Sequence, residues 1–293
     1  MKVSVYTIAR NEVANVAAWV AQLADADEVT VCDTGSSDGT DAQLTALGCR
    51  VYPIVVEPFR FDLARNTALA LVAGDADLCV VVDLDERISD GWRKELERVW
   101  QPETQRVLVT CSAPVAAAGT ITPLARPDRF TDNRRIHRRR GYLWKYPCHE
   151  SLVWHGLGPD AVTDSAIHIS QPPSTHQYLE TLRQGYREYN YSPRATFYYG
   201  RELYNTGDYA GAAMVLERLM RFPRLELSIT EEDYALAAII LASCYLELQL
   251  WPEALRWNEL ARGLITVESE RAKLEEHQQL ILRYRDNPQQ LAD

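Results

Sequence analysis

A strand, a short loop and the start of a helix follow one another in Glu28-Val29-Thr30-Val31-Cys32-Asp33-Thr34-Gly35-Ser36-Ser37-Asp38-Gly39-Thr40. The first six residues are rich in β-branched side chains, which is typical of a strand. Two glycines and small hydroxyl residues permit a tight loop with free backbone N–H groups directly before a helix. The segment predicts one strand-loop-helix unit of an α/β fold. By itself it also fits an ordinary loop whose Asp or Ser caps the helix.

The same alternation of β-branched runs and amphipathic stretches extends over residues 1–85, which is the pattern of parallel βα units. The predicted strands are Val3–Ala9, Glu28–Asp33, Arg50–Val55 and Leu78–Asp83, and the predicted helices are Glu12–Ala24, Thr40–Leu47 and Leu63–Ala73. Polar residues close or follow three of the strands. We therefore expect them to collect at the carboxyl edge of one sheet, where open α/β sheets bind ligands.

Length and composition predict a folded protein of two domains. The chain has 293 residues, of which 46% are hydrophobic and 25% charged, and this excludes long disorder and collagen-like repeats. No signal-length apolar stretch opens the chain and no run approaches the ~20 apolar residues of a membrane helix, so we expect no membrane span and a cytoplasmic location. Six scattered cysteines without a C-x-x-C pair are expected to be reduced and buried.

The second half of the chain has a different sequence pattern. Gln171-Pro172-Pro173-Ser174 is a breaker cluster, and helical periodicity follows it almost to the end. We place a domain boundary there, with an α/β domain at 1–172 and an α-helical domain at 173–293. Tyr209-x-x-Ala212 aligns with Trp251-x-x-Ala254, which indicates a weak repeat of tetratricopeptide-like helix pairs. An ordinary helical bundle is the alternative.

A cluster of acidic residues follows the fourth predicted strand in Val80-Val81-Val82-Asp83-Leu84-Asp85-Glu86. Mutual repulsion between these carboxylates favours a bound cation, and oxygen ligands favour Mg²⁺ or Mn²⁺ over zinc. An exposed acidic turn is the alternative interpretation of such a segment. A further charged helix start, Phe61-Asp62-Leu63-Ala64-Arg65-Asn66, is predicted near the same sheet edge.

Four motifs occur in a characteristic order over residues 1–90. They are Ile8-Ala9-Arg10-Asn11-Glu12, Asp33 to Thr40, Ala64-Arg65-Asn66, and Asp83-Leu84-Asp85. Together they resemble the family 2 glycosyltransferases, which have the GT-A fold, a Rossmann-like and mostly parallel α/β sheet. Downstream, Trp144-x-x-x-x-His149-Glu150-x-Leu152 is similar to the signature of a subgroup in which tetratricopeptide helices follow the catalytic domain.

The resemblance implies an inverting, metal-dependent transfer of a sugar from a nucleotide-sugar donor. The residues implied to hold the nucleotide sugar are Asn11, Glu12, Asp33, Arg65 and Asp83. Pairing of Asp33 with a base imide favours a UDP-sugar. Asp85 is implied to bind Mn²⁺ or Mg²⁺, which neutralises charge on the leaving group. His168 is a further candidate metal ligand, although a lone histidine in a strand is commonly structural.

Inversion also needs a base that removes the acceptor proton, and the resemblance implies Glu150 in that role, with His149 as the alternative. The acceptor is open among a saccharide, a protein or peptide side chain and a modified nucleic-acid base, and the helical domain is expected to bind the acceptor or to self-associate. Other classes of function are a non-catalytic scaffold with a degenerate transferase domain, and a nucleotidyltransferase. The latter more usually has a glycine-rich phosphate loop, and residues 8–12 contain no glycine.

Arginines are concentrated in the middle of an otherwise acidic chain. The net charge is -10, yet seven arginines lie between Arg126 and Arg140. Three interpretations of Arg134-Arg135-Ile136-His137-Arg138-Arg139-Arg140 stay open: a solvated strand face, a contact for the donor diphosphate, and a patch for an anionic acceptor. Nucleic acid is the less favoured partner, because the acidic flanks oppose it at long range.

Overall fold

The computed structural model describes residues 1–112, 129–172, 178–223, 229–265 and 268–287. The described residues form two compact units, the first containing 1–112 and 129–172 and the second 178–287. Arg126, Pro173 and Ser174 lie outside the described residues. The boundary after residue 172 stays a prediction.

The first unit alternates strands and helices up to residue 99 and is then mostly β. Its elements are β1 (Val3–Ala9), α1 (Val13–Gln22), β2 (Glu28–Asp33), α2 (Thr40–Ala46), β3 (Arg50–Pro53), α3 (Phe61–Leu71), β4 (Leu78–Val81), β5 (Arg87–Ile88), α4 (Trp92–Val99), β6 (Arg106–Ser112), β7 (Arg129–Arg138), β8 (Tyr142–Lys145), β9 (Ser151–Trp154) and β10 (Val162–Ser170). All four predicted strands and all three predicted helices are confirmed. Half of their ends coincide with the predicted ends, and the others differ by one or two residues.

In the described part of the chain, eight strands form one mixed sheet in the order β3-β2-β1-β4-β7-β6-β10-β5. Strands β1 to β4 are mutually parallel, and β6 and β10 share their direction. Only β7 and β5 run the opposite way in this sheet. The mostly parallel α/β sheet expected from the sequence is therefore confirmed.

Alternate residues of β1 point to opposite faces of the sheet, and each face has its own cover. Val3 and Val5 pack on the face covered by α1, α2 and α4, where Trp19 and Trp92 are fully buried. Tyr6 packs on the other face, which is covered by α3 and by the antiparallel hairpin of β8 and β9. This hairpin carries the segment that was expected to contain the base.

The second unit is all-α. Its helices are α5 (Leu179–Glu188), α6 (Pro193–Asn205), α7 (Tyr209–Leu219), α8 (Glu231–Glu247), α9 (Trp251–Leu264) and α10 (Glu268–Asp286), and each packs against the next. The two residues aligned in the sequence repeat, Tyr209 and Trp251, are the first residues of α7 and α9. Helices α6 and α7 approach closely at Gly200, where a Cβ would lie 2.6 Å from the Leu216 side chain.

All six cysteines are reduced and buried, as predicted. Burial raises the pKa of the Cys79 thiol to about 12, so this thiol is unreactive at neutral pH. Among the helices of the described residues, none combines the length and the apolar character needed to cross a membrane.

Candidate active site

The register of the parallel strands brings the predicted motifs to one edge of the sheet. Ala9, the last residue of β1, is paired with Asp33, the last residue of β2. Strand β4 lies on the other side of β1 and leads into Asp83 and Asp85. Segments from three neighbouring strands therefore leave the sheet side by side.

Two of these segments are joined by side-chain hydrogen bonds. Asn11 has a φ of 57°, in the left-handed region, where asparagine is tolerated. Its backbone N–H donates to Ser36 Oγ, and its Oδ1 accepts from the Ser37 N–H, both at 2.9 Å. The N–H of Glu12 donates to Thr40 Oγ1 at 2.8 Å. Asn11 thus joins the segment after β1 to the loop after β2, in addition to any contact with a donor.

The carboxylate of Asp33 accepts hydrogen bonds from the loop that follows this residue. Its Oδ1 accepts from the N–H groups of Gly35 and Ser36 at 2.9 and 2.8 Å, and its Oδ2 accepts from Ser36 Oγ at 2.5 Å. Gly35 and Gly39 have φ values of 102° and 93°, which side chains with a Cβ rarely adopt. The carboxylate of Asp33 is 5% exposed and shapes the loop. Pairing of Asp33 with a base stays a prediction.

Arg65 is the centre of the site. It is 6% exposed, and its Nη1 and Nη2 donate to the two carboxylate oxygens of Asp83 at 2.9 and 2.8 Å. Its Nε donates to Glu150 Oε1 at 2.5 Å. The guanidinium also lies 5.3 Å from the ring centroid of Trp144. One guanidinium thus joins the carboxylates of two residues that are far apart in the sequence.

Charge pairing outweighs burial in this ion pair. Burial alone would raise the pKa of Asp83, but the charge and hydrogen bonds of Arg65 hold the pKa of that carboxyl well below its usual range. The pKa of Arg65 is raised, because the carboxylates of Asp83 and Glu150 outweigh its desolvation. Asp83 and Arg65 are therefore both charged at neutral pH.

A second layer of polar contacts holds the turn that begins at Asp83. Thr7 Oγ1 donates to Asp83 Oδ1 at 2.8 Å. The N–H of Asp83 donates to Glu86 Oε2, and the N–H of Glu86 donates back to the Asp83 carbonyl. Burial raises the pKa of Glu86, which is 3% exposed, although Arg135 opposes the shift with hydrogen bonds of 2.7 and 3.1 Å. Glu86 therefore fixes the shape of the acidic turn.

Asp85 differs from Asp83 because its side chain is exposed. Its pKa is nevertheless raised, first by partial desolvation and then by the negative charges of Asp83 and Glu12. A carboxylate in such a field gains from a nearby cation. Within the described residues, no set of three or more His, Cys, Asp or Glu side chains is arranged to hold a metal ion.

His168 lies on β10, where its Nε2 is 2.9 Å from Ser112 Oγ on the neighbouring β6. Its backbone N–H donates to Ser89 Oγ. His168 is therefore hydrogen-bonded to neighbouring segments of the sheet. Its role as a metal ligand stays a prediction.

The arginine run has two parts with different surroundings. Arg134 binds both oxygens of Asp132 and donates to the Glu150 carbonyl at 2.8 Å. Arg135 binds Glu86 and Asp132. These two arginines are internal ion-pair partners, which none of the three interpretations from the sequence included. They tie the acidic turn to the segment carrying Glu150.

A chain of buried hydrogen bonds holds the Trp144 indole that packs against Arg65. Trp144 Nε1 donates to the Tyr6 hydroxyl at 2.8 Å, and that hydroxyl is 2.9 Å from Nε2 of His137. The other ring nitrogen of His137 lies 2.7 Å from the Arg138 carbonyl. Asn66 holds the Trp144 backbone with two hydrogen bonds, at 2.8 and 2.9 Å. The chain of contacts orients the indole against which the guanidinium of Arg65 lies.

Thr7 was not singled out from the sequence, and Glu86 and Arg135 were considered only as members of the acidic cluster and of the arginine run. Each of the three contacts Asp83 or its turn. One signal was available for Thr7, a hydroxyl residue on the face of β1 that otherwise carries Val3, Val5 and Ala9. The arginine run included Arg135, but its contacts with Glu86 and Asp83 had no sequence signal because those two residues are distant in the sequence.

Residues 4–153 match the family model described as "Glycosyl transferase family 2". The match covers just over half of the chain, and the chain therefore belongs to this family. The expected family is therefore confirmed, and so is the expected order of a mostly parallel α/β unit and a helical unit.

Two curated relatives and one solved structure show how far the similarity extends. A TPR repeat-containing protein of Synechococcus elongatus is 33% identical over 135 residues, covering 45% of this chain and 32% of the relative. The lipopolysaccharide core biosynthesis glycosyltransferase LpsC of Rhizobium meliloti is 27% identical over 184 residues, covering 61% of this chain and 67% of the relative. The crystal structure of S. aureus TarS 1-349 has a TM-score of 0.44 at 15% identity, covering 97% of this chain and 91% of that chain. The chain thus spans about a third of the first relative and two thirds of the second.

Proposed function

We propose that this protein transfers a glycosyl residue, with inversion, from a nucleotide-sugar donor to an acceptor nucleophile at the carboxyl edge of its sheet. One observation carries the proposal: the buried guanidinium of Arg65 binds both Asp83 of the acidic turn and Glu150 of the hairpin segment. The residues expected to hold the donor and the residue expected to deprotonate the acceptor therefore meet in one place. Family membership supports the same reaction class.

A divalent metal fits the chemistry of the acidic turn. Asp83 is engaged by Arg65 and Thr7, whereas Asp85 is exposed and lies in the negative field of Asp83 and Glu12. Mg²⁺ and Mn²⁺ in nucleotide sites are commonly held by one or two carboxylates and by substrate phosphates, so a preformed protein cage is not required. Asp85 would hold the ion, with His168 as the further candidate. The bound ion would neutralise charge on the diphosphate leaving group.

Glu150 is the proposed base. Its Oε1 accepts from Arg65 Nε, while no described residue is hydrogen-bonded to its Oε2. The free oxygen could accept the proton of the acceptor as the nucleophile attacks the anomeric carbon from the face opposite the diphosphate. Arg65 would keep the carboxylate oriented before the transfer. His149 is the alternative base.

The donor and the acceptor are proposed only as classes. A UDP-sugar is favoured, since Oδ2 of Asp33 accepts one hydrogen bond, from Ser36 Oγ, and has a second lone pair that could accept from a uracil imide. The acceptor stays open among a saccharide, a protein or peptide side chain and a modified nucleic-acid base. We propose that the helical unit is tetratricopeptide-like and binds the acceptor or a second copy of the chain.

A thermal-shift panel of UDP-, GDP-, CMP- and dTDP-sugars, with Mn²⁺ or with EDTA, tests the proposal. A donor at 100 times its dissociation constant should stabilise the protein by about 2.7 kcal/mol, and UDP-sugars should do so only with metal. Asp85→Asn should abolish the metal-dependent shift, whereas Asp90→Asn, at an exposed acid nearby, should retain it. A full shift in EDTA would rule out the metal. Absence of any shift, together with no hydrolysis of the donors, would favour the non-catalytic scaffold.

A further inference from the structure

The second part of the arginine run, Arg138 to Arg140, lies at the opposite edge of the sheet from the proposed active site. Arg138 ends β7 and is paired with Leu78, the first residue of the antiparallel neighbour β4. Asp83 follows the other end of β4, five residues from Leu78, which corresponds to roughly 17 Å of extended chain. These three arginines therefore cannot reach a donor diphosphate bound at Asp85.

A surface cleft of about 310 Å³ occupies this edge. It is lined by Gly74, Asp75, Ala76, Asp77, Arg138, Arg139 and Arg140. The cleft lies between the turn that precedes β4 and the end of β7.

The arginines of the cleft are held by neutral groups. Arg138 Nε donates to the Thr104 carbonyl at 2.8 Å, and its guanidinium lies 5.1 Å from the Trp100 ring centroid. Arg139 Nη2 donates to the carbonyls of Val72 and Ala70 at 3.1 and 3.3 Å. Arg140 is exposed. Across the described ranges of the chain, none of the three has a carboxylate within ion-pair distance, in contrast to Arg134 and Arg135.

The acidic residues of the cleft are already engaged elsewhere. The ammonium of Lys2 binds Asp75 Oδ1 at 2.7 Å, and the backbone N–H of Lys2 donates to Asp77 Oδ2 at 2.7 Å. In addition, the buried Nε of Arg139 has no hydrogen-bond partner in the described structure. Lys2 neutralises Asp75, and the three arginines outnumber the remaining carboxylate, that of Asp77, so the cleft keeps a net positive charge.

We propose that this cleft is an anion-binding site for a phosphate or carboxylate group, with Arg140 as the contacting residue and Arg138 and Arg139 as fixed charges behind it. Guanidinium groups recognise both oxyanions through paired N–H donors. Carbonyl groups hold two of the three guanidinium groups in place, so little side-chain entropy is lost when an anion binds. The site is separate from the proposed transfer site and does not depend on it.

Isothermal titration with inorganic pyrophosphate, and in a second series with citrate, tests the proposal in the presence of EDTA. The wild-type protein should bind at least one of the two, and binding should weaken as salt is raised, because the cleft is open to solvent. Tighter binding of pyrophosphate would identify a phosphate group as the ligand, and tighter binding of citrate a carboxylate group. Arg140→Gln should weaken binding about fivefold, as expected for the loss of one charge-assisted contact, and Arg140→Lys should restore most of it.

Two control variants define what would overturn the proposal. Arg98→Gln removes the same charge from an exposed helix position and should leave the affinity unchanged. Asp85→Ala should also leave it unchanged, because the anion binds at the other edge. Absence of binding at millimolar anion, equal affinity of Arg140→Gln and wild type, or loss of binding in Asp85→Ala alone would each refute the assignment.

Discussion

The buried imidazole of His137 allows a quantitative prediction of how the free energy of unfolding changes at acid pH. His137 is fully buried, and its Nε2 lies beside the Tyr6 hydroxyl while Nδ1 faces the Arg138 carbonyl. Burial, with smaller contributions from the charges of Arg106 and Arg139, lowers the pKa of His137 to about 4, although the hydrogen bond to the carbonyl opposes the shift. The folded protein therefore keeps this imidazole neutral across the physiological range.

The size of the effect follows from the difference between the folded and unfolded pKa values. The unfolded chain binds a proton near pH 6.5, whereas folded His137 does so only near pH 4. Above pH 6.5 neither state is protonated and the residue has no effect on pH dependence. As the pH falls below 6.5 the unfolded state gains the proton first, so stability decreases, by about 2 kcal/mol at pH 5.

Urea unfolding of the wild type and of His137→Gln at pH 7.5 and pH 5.0 measures this contribution. The glutamine variant should be less stable at pH 7.5, because the hydrogen-bond chain is altered, but it should lose about 2 kcal/mol less on acidification. His277→Gln is the matched variant, since burial also lowers the pKa of His277 in the helical unit to about 4. If His137→Gln and the wild type lose equal stability between the two pH values, the assignment of a neutral buried imidazole is refuted.

Three further substitutions test separate parts of the molecule. Arg65→Met should cost about 3–5 kcal/mol in urea unfolding, because it leaves two carboxylates without their buried partner, whereas Arg98→Met, at an exposed pair, should cost nothing measurable. Glu150→Gln should lower the rate of glycosyl transfer by ~10²–10⁴ with donor affinity unchanged, and transfer retained within a few-fold would move the base role to His149. Thr230→Ala should destabilise the helical unit by about 1 kcal/mol, because the Thr230 capping box of α8 is lost, and Thr230→Ser should not.

Local patterns in the sequence determined the first four strands, the first three helices, the helical character of the second half and the position of every motif. Strand alternation, glycine at positive φ and polar residues at strand ends depend on neighbours a few residues away, so they can be interpreted without a structure. Parallel strands of one sheet present their carboxyl ends at one edge, and this predicted that the segments after β1, β2 and β4 would lie together.

Only the tertiary structure decided which charged groups are partners. Arg65 and Glu150 are 85 residues apart, and Arg135 and Glu86 are 49 apart, so no local periodicity marks either pair. The antiparallel register of β7 against β4 also decided which arginines of the run lie near the proposed active site. It places Arg138 beside Leu78 at the amino edge of the sheet, whereas Arg135 reaches the acidic turn. Long-range pairing of this kind depends on how strands meet in space, and a single sequence carries no short-range signal for it.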